Sequence, residues 1–348
     1  MEGFYISSSS SSSSSSYSGN HLRSMKPEKR KCSSKYCDRL SEMPDEVIVH
    51  ILSYMPIVDA VRTMLIRRFG TLWTLIPTLK FEAEDAPDST WRSNDVGWFY
   101  IFVRNVLMLH KRPVIDKFRL LLGWFHEKGR REAGDDIRMC LRFALDKQAK
   151  EIHFSDITSE LTNSSDFPNF TSQSLVTLEL CHCCIYPQLQ VNLGSLKKLL
   201  FWHTEMSEEA FQQVISGCPS LEELHIMEPY DIKKLRFSAP NIRRLSLVLL
   251  NDEDTDDPWL FDFPNLISLD LELGQIPNVI NVSSVRDVYL KQLLFNMDDV
   301  NELRRFNIFL EKFSCIEDFQ LSLNASELLL YMTGKFSTVQ WLLLRHVS

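Results

Sequence analysis

The sequence is first defined by what it lacks. No apolar run approaches the ~20 residues that span a bilayer. The longest, Trp98 to Leu109, is interrupted by Arg104 and Asn105, so no membrane association is expected. There is no basic-then-apolar leader: Met-Glu-Gly-Phe-Tyr-Ile runs straight into serine, which points to a cytoplasmic or nuclear chain, or one that occupies both. In such a compartment the eight cysteines read as reduced core residues rather than a disulfide framework. The N-x-Ser/Thr sequons beginning at Asn163, Asn169, Asn281 and Asn324 then read as coincidental. A Gly-rich phosphate loop, a G-x-S-x-G elbow and an H-E-x-x-H pair are all missing, and the nine histidines are scattered. A structural zinc site needs two separated ligand pairs. Cys181-His-Cys-Cys184 has no second pair after it, so no metal is expected. With no cofactor motif and no catalytic constellation, an enzyme is not expected and a binding protein is.

What is present fits that class. The chain has 348 residues, 44% hydrophobic and 24% charged, a globular balance with room for a core. Its net charge of −8 argues against nucleic acid as the main partner of the folded body. Residues 1–37 carry ten consecutive serines, Ser7 to Ser16, and a basic cluster at Lys26, Lys29, Arg30 and Lys31. Such a composition buries too little apolar area to offset chain entropy, so a disordered tail is expected. The acids of Asp252 to Asp257 lack the glycine and terminal glutamate of a calcium loop and read as a solvated connection. Trp91, Trp98 and Trp124 read as core of a connecting region.

The segment 38–81 has helical periodicity. Val47, Ile48, Ile51, Leu52 and Met55 form one apolar face of a helix begun by Pro44, with Asp45 and Glu46 in its first turn, and Pro56 stops it. Ile57, Val58, Val61, Met64 and Leu65 give a second face, and Phe69, Leu72, Trp73 and Ile76 a third that ends at Pro77. Three helices in so few residues cannot bury their own apolar surface, which predicts a partner.

From residue 150 a template of apolar-x-x-apolar-x-apolar recurs. It fits Leu175/Leu178/Leu180, Leu221/Leu224/Ile226, Ile232/Leu235/Phe237, Ile242/Leu245/Leu247, Leu266/Leu269/Leu271, Val285/Val288/Leu290, Ile316/Phe319/Leu321 and Val339/Leu342/Leu344, with a weaker copy at Leu196/Leu199/Phe201. This is the strand signature of leucine-rich repeats, whose units bury their leucines only by stacking. In that frame Cys183 falls at the turn position. The short spacing around Ile232 and Ile242 predicts bare loop on the outer side there. Ser207 to Ser216 predicts a helix with Ser207 as N-cap and Gly217 at its end. The expected fold is α+β: a three-helix module at 38–81, a helical connecting and capping region at 82–149 with a strand near Lys117 to Leu122, and at 150–348 an irregular solenoid with a parallel inner sheet. Concave faces of such arcs bind ligands through the residues between the leucines. Here these are Glu179, Trp202, His203, Glu223, His225, Arg244, Ser246, Asp270 and Glu272.

The segment also resembles the F-box of plant F-box proteins with leucine-rich repeats, whose module reads DRIS-x-LPDE-x-L-x-x-ILS-x-LP, then AV-x-T-S-x-LSKRW, then LW and VP-x-L-x-F. The matching residues are Asp38, Arg39, Ser41, Pro44, Asp45, Glu46, Ile51, Leu52, Ser53, Pro56, Ala60, Val61, Thr63, Leu65, Arg68, Leu72, Trp73, Pro77, Leu79 and Phe81. Met43 stands where the family has Leu, Ile66 where it has Ser, Phe69 where it has Trp, and Cys140 where members often carry Trp. The further C-terminal domain of many relatives is expected to be missing. The resemblance implies a substrate-recognition adaptor of a Skp1-cullin-F-box ubiquitin ligase that does no chemistry itself. A Skp1-like protein would dock on Leu40, Met43, Pro44, Val47, Ile48, Ile51, Leu52, Leu65 and Ile66, several of which must also form the module's own core. The repeats would hold a target protein for ubiquitination and degradation. A repeat scaffold acting outside any ligase and a small-molecule-dependent receptor are the alternatives.

Overall fold

Pro44 supplies extended backbone ahead of helix α1 (Asp45–Leu52), and Pro56 does the same for α2 (Ile57–Arg62). A single turn of 3-10 helix follows at Thr63–Leu65 and another at Leu72–Leu75. The third helix expected from Phe69, Leu72, Trp73 and Ile76 is therefore only a turn. Ile76 is extended, and the chain passes through Pro77 into strand β1 (Thr78–Glu82).

The computed structural model describes residues 40, 42–82, 96–121, 130–155, 170–185, 190–230, 236–249, 260–273, 278–281, 284–291, 304, 308–309, 312–313 and 318–322. The expectations for the tail at 1–37, the acids at 252–257, Trp91, Trp124 and the Val339 triplet lie outside these residues. Two compact units divide the chain, Met1–Glu42 and Met43–Ser348. Leu40 belongs to the first and is exposed.

In the second unit β1 is the edge of a ten-stranded, all-parallel sheet. It continues through β2 (Lys117–Leu121), β3 (Glu151–Ser155), β4 (Thr177–Cys181), β5 (Lys198–Trp202), β6 (Glu223–Met227), β7 (Arg244–Leu249), β8 (Ser268–Leu273), β9 (Asp287–Lys291) and β10 (Asp318–Ser322), in chain order across the sheet. Helix α3 (Val96–Leu109) connects β1 to β2, and α4 (Arg130–Asp146) connects β2 to β3. The crossovers shorten once α4 is passed. Strands start every 19 to 26 residues from Glu151 to Asp287, with α5 (Glu208–Ser216) inside one of these steps.

The first three strands obey the same template as the rest. Ile76/Leu79/Phe81, Ile115/Phe118/Leu120 and Ala149/Ile152/Phe154 are all fully buried; the first two triplets precede the solenoid drawn from sequence, and the third lies at its start. Conversely, the Ile232/Leu235/Phe237 triplet does not mark an inner strand. Its described part, Arg236–Ser238, pairs with Leu260–Asp262 and Asn278–Asn281 in a separate three-stranded sheet. The outer side there is thus stranded rather than bare loop. The weak copy at Leu196 is a full inner strand, β5.

Alternation along β1 to β9 sends every second described side chain into a single core. Phe81, Phe118, Phe154, Phe201 and Phe211 are among its fully buried members, and burial stabilises each by roughly 1.5–3 kcal/mol. Side chains fasten the turns that enter the inner strands. Ser220 donates to the Gly194 carbonyl (2.6 Å), Asn241 to that of Pro219 (2.7 Å), Asn265 to that of Pro240 (2.8 Å) and Ser284 to that of Pro264 (2.9 Å). Each turn is thereby tied to the one before it. Helix α5 begins as expected, with Ala210 N–H donating to Ser207 Oγ (3.2 Å). Gly217 ends it with ordinary right-handed φ of −78°. Glycine is required there by space: a Cβ would lie 2.4 Å from the Val191 carbonyl oxygen.

Candidate interaction surfaces

The helical segment divides its apolar residues between inside and outside. Ile48, Leu52, Ile57, Ala60, Leu72, Trp73 and Ile76 are buried in the chain's own core, and Met43 packs partly against it. The outer side of α1 shows Val47 and Ile51, each 41% exposed, and Pro44 is exposed ahead of them. The turn after α2 presents Leu65 at 87% and Ile66 at 50%, with Met64 also exposed. Of the nine residues expected to dock a partner, Ile48 and Leu52 thus spend their surface within the chain. Val47, Ile51, Leu65 and Ile66 keep theirs outside. So dense an apolar surface on one short segment is characteristic of an interaction site.

Arg68 holds the two exposed groups in one frame. Its guanidinium donates to the Met43 carbonyl (3.1 Å) and pairs with Asp45 (2.5 Å), fastening the chain after Ile66 to the start of α1. Motif matching had picked out Arg68 and Asp45 separately; their pairing is a contact that no periodicity reveals.

A second set of bonds joins these helices to the sheet. Lys111 N–H donates to the Thr74 carbonyl (2.9 Å), Arg112 Nη1 to that of Leu75 (3.3 Å) and Asp116 N–H to that of Pro77 (2.8 Å). His110 is buried, with Nε2 3.0 Å from the Ile76 carbonyl. Burial chiefly, then the nearby Lys147 and Arg112 charges, hold its pKa below the ordinary value against the opposing bond to Ile76. Because a carbonyl only accepts, Nε2 carries the proton that this bond needs.

The sheet's open face carries the residues between the leucines, aligned by register into rows. One row runs Lys117, Glu151, Thr177, Lys198, Glu223, Arg244, Ser268, and its charges pair across strands. Lys117 meets Glu151 (3.0 Å), while Lys198 (3.1 Å) and Arg244 (3.2 Å) both meet Glu223. Burial alone would raise the Glu223 pKa, but the bonds from His225 and Lys198 pull it down to about 2. In the middle row His153 bonds Glu179. Burial would raise that carboxyl too, and the bond and charge of His153, with Lys198 and Lys117, hold it below its ordinary value.

The third row is soft: Cys181, Trp202, Met227 and Val248. Just beyond it, β4, β5 and β6 are each followed by a residue of left-handed backbone, His182 (φ 53°), His203 (φ 49°) and Glu228 (φ 47°). Such conformations are uncommon away from glycine and mark constrained sites. Here each is fixed by an N–H bond to the next strand: His182 to the Trp202 carbonyl (2.8 Å), His203 to Met227 (2.9 Å) and Glu228 to Val248 (2.7 Å). The repetition stacks rings along the edge. His182 and His203 are 4.9 Å apart at 21°, Trp202 and His203 5.4 Å at 29°, and His203 and Tyr230 5.7 Å at 22°. Both His203 nitrogens are engaged, Nδ1 with Tyr230 Oη (3.3 Å) and Nε2 with Glu228 (3.1 Å).

Of the residues expected to contact a target, Glu179, Trp202, Glu223, His225, Arg244, Asp270 and Glu272 occupy outward positions on inner strands, and His203 the turn after β5. Ser246 is outward in register but buried, its hydroxyl 3.4 Å from Asp270. Tyr230 and Glu228 were missed, lying past the end of the template. Lys80 and Arg119 were missed because the repeats were started at 150. Cys183 is buried, with its thiol donating to the Cys181 carbonyl (3.1 Å). No cluster of three metal-ligating side chains occurs among the described residues, and no described helix is long and apolar enough to cross a membrane.

Two family profiles match the chain: an F-box domain over residues 40–75, and the leucine-rich repeats of the FBD-associated F-box protein At5g56370 over residues 137–286. Among similar proteins of Arabidopsis thaliana, the FBD-associated F-box protein At5g38590 is 31% identical over 272 residues, 74% of this chain and 62% of that protein. The F-box/FBD/LRR-repeat protein At5g56420 is 29% identical over 251 residues, 68% of this chain and 56% of that protein. The FBD-associated F-box protein At4g10400 is 32% identical over 241 residues, 67% and 55% respectively. The chain spans a little over half the length of these relatives.

Proposed function

We propose, from the premise that the chain belongs to the F-box proteins with leucine-rich repeats, that it is a substrate-recognition adaptor of a Skp1-cullin-F-box ubiquitin ligase. F-box proteins with such repeats serve generally as non-catalytic adaptors. In this one, Val47, Ile51, Leu65 and Ile66 dock a Skp1-like protein and through it a cullin, while the open face of the sheet holds a target protein. Catalysis is by proximity: two binding surfaces on one chain raise the effective concentration of a target lysine near an activated thioester. We place the adaptor in the cytoplasm, the nucleus or both.

The observation that carries the reading is the exposed apolar surface of α1 and the turn at Leu65, set on helices whose other faces are buried and bonded to the sheet. Ile66, which stands where the F-box pattern it resembles has serine, enlarges this surface. The test is a pull-down of the chain with purified Skp1-like protein, beside a Val47→Lys, Leu65→Lys variant. Capture of the parent and loss of the variant are expected. A folded parent that captures nothing refutes the adaptor reading and favours a scaffold outside any ligase.

A further inference from the structure

The ring stack at the end of β5 has the make-up of a site for a planar cation. Trp202 is 44% exposed and Tyr230 52%, large aromatic surfaces on either side of a His203 clamped at both nitrogens. Electron-rich ring faces attract cations, and guanidinium, being planar and weakly hydrated, stacks on them better than ammonium does. The neighbouring charges favour the same ligand. Lys198 and Arg244 are both engaged by Glu223. Glu228, by contrast, has one oxygen on His203, an ion pair only when that imidazole is protonated. A carboxylate accepts several bonds, so its other oxygen can receive a guanidinium N–H.

The wider face is polarised in the same sense. Over β1 to β3 the outward bases Lys80, Lys117 and Arg119 outnumber Glu82 and Glu151. Over β6 to β9 the outward acids Glu223, Asp270, Glu272 and Asp287 outnumber Arg244 among the residues whose side chains are described.

We infer that this edge is an arginine-binding site that recognises a basic, extended segment of the target protein, the guanidinium stacking on Trp202 with its fork turned to Glu228. The inference deepens the adaptor reading and rests on it for the identity of the ligand as a target. The left-handed turns are what preorganise it, since they hold the rings in register before any ligand arrives.

The test uses the full chain and fluorescence anisotropy with a labelled (Arg-Thr)4 peptide, its (Lys-Thr)4 counterpart and its citrulline counterpart, at about 0.15 M salt, where exposed charges more than ~8 Å apart are screened. The arginine peptide is expected to bind at least fivefold tighter than the lysine peptide and tenfold tighter than the citrulline one. Trp202→Ala, which removes no charge and alters an exposed residue, is expected to weaken it at least tenfold, and Glu228→Gln at least fivefold. Asp59→Asn, a charge change on α2 away from the sheet's open face, is expected to leave it within twofold. No arginine-peptide binding, equal binding of arginine and lysine, or binding unaffected by Trp202→Ala overturns the inference. Docking of Skp1-like protein is measured on the same preparations. Loss of arginine binding with docking intact refutes this site alone, and loss of docking with arginine binding intact refutes the adaptor reading alone.

Discussion

The F-box helices and the repeat sheet solve opposite problems with the same residue types. The helices expose leucine, isoleucine and valine and bury little polar structure. The sheet buries most of its described leucines and exposes a face on which several charges pair across strands. A surface of the first kind gains free energy whenever an apolar partner covers it. One of the second kind gains little from its paired charges, since exposed ion pairs are worth roughly 0–1 kcal/mol. Its selectivity then falls to places where the pairing lapses, such as the ring edge at Trp202. On the adaptor reading, one surface serves affinity toward a fixed partner and the other discrimination.

The comparison is tested most severely in the core that both regions share. Phe118→Ala, at a fully buried position on β2, is expected to lower stability by about 3–5 kcal/mol. Because β1 continues the F-box chain, it is expected to melt helices and sheet together in one transition by circular dichroism; a separate F-box transition would show that the regions are independent. A narrower cut is Gly217→Ala. Its Cβ would press on the backbone of Val191, so a loss of about 1–3 kcal/mol is expected in denaturant titration, with docking by the helices retained.

The contrast is sharpened by Leu65→Ala. At 87% exposure it is expected to change stability by less than about 0.5 kcal/mol, yet to weaken capture of Skp1-like protein at least tenfold in a titration. Equal losses in folding and docking would erase the distinction between inner and outer apolar residues. The smallest effect concerns the joint. The His110 pKa lies below its ordinary 6.5 in the fold, so the unfolded chain binds the extra proton first. Stability from this group is full above about pH 6.5 and falls as the pH drops below it, levelling off below the folded pKa. His110→Gln is expected to flatten that part of the stability–pH curve measured by urea titration.

Much of this was legible in the sequence because one template repeats. The alternation in Leu175/Leu178/Leu180 and its successors is forced by burial of one side of a strand, and it placed the inner strands correctly from β4 to β10, with one further triplet that is not an inner strand. That triplet, Ile232/Leu235/Phe237, failed because outer strands alternate as well. The distinguishing mark is the Pro-Asn or Pro-Ser turn ahead of true inner strands, at Pro219-Ser220, Pro240-Asn241 and Pro264-Asn265, whose side chains tie neighbouring turns. A strand was expected near Lys117 to Leu122 and is there as β2, but the earliest strands were not joined to the repeat, for another reason. Ile76, Ile115 and Ala149 begin triplets 39 and 34 residues apart, with helices between them, so no short period connects them.

Ile76 also satisfies helical spacing with Phe69, Leu72 and Trp73, which hid its second role. On α1 the periodicity identified an apolar helix but could not say which side meets the core, because apolar residues sit on both. The ring edge was half visible: Trp202 and His203 follow from register, whereas Tyr230 and Glu228 depend on backbone turns that no side-chain pattern encodes.

One consequence of the unbroken order from β1 to β10 is metrical. Strands in a sheet lie about 4.8 Å apart, and here the count begins on the F-box helices themselves through Ile76 and Thr78. The sheet is therefore graduated: a ligand that settles one strand further along sits about 5 Å further from those helices. Exchanging outward residues between strands would move a bound segment along this scale without altering what it recognises. On the adaptor reading, which lysine of a target falls within reach is then a question of length, set by strand number.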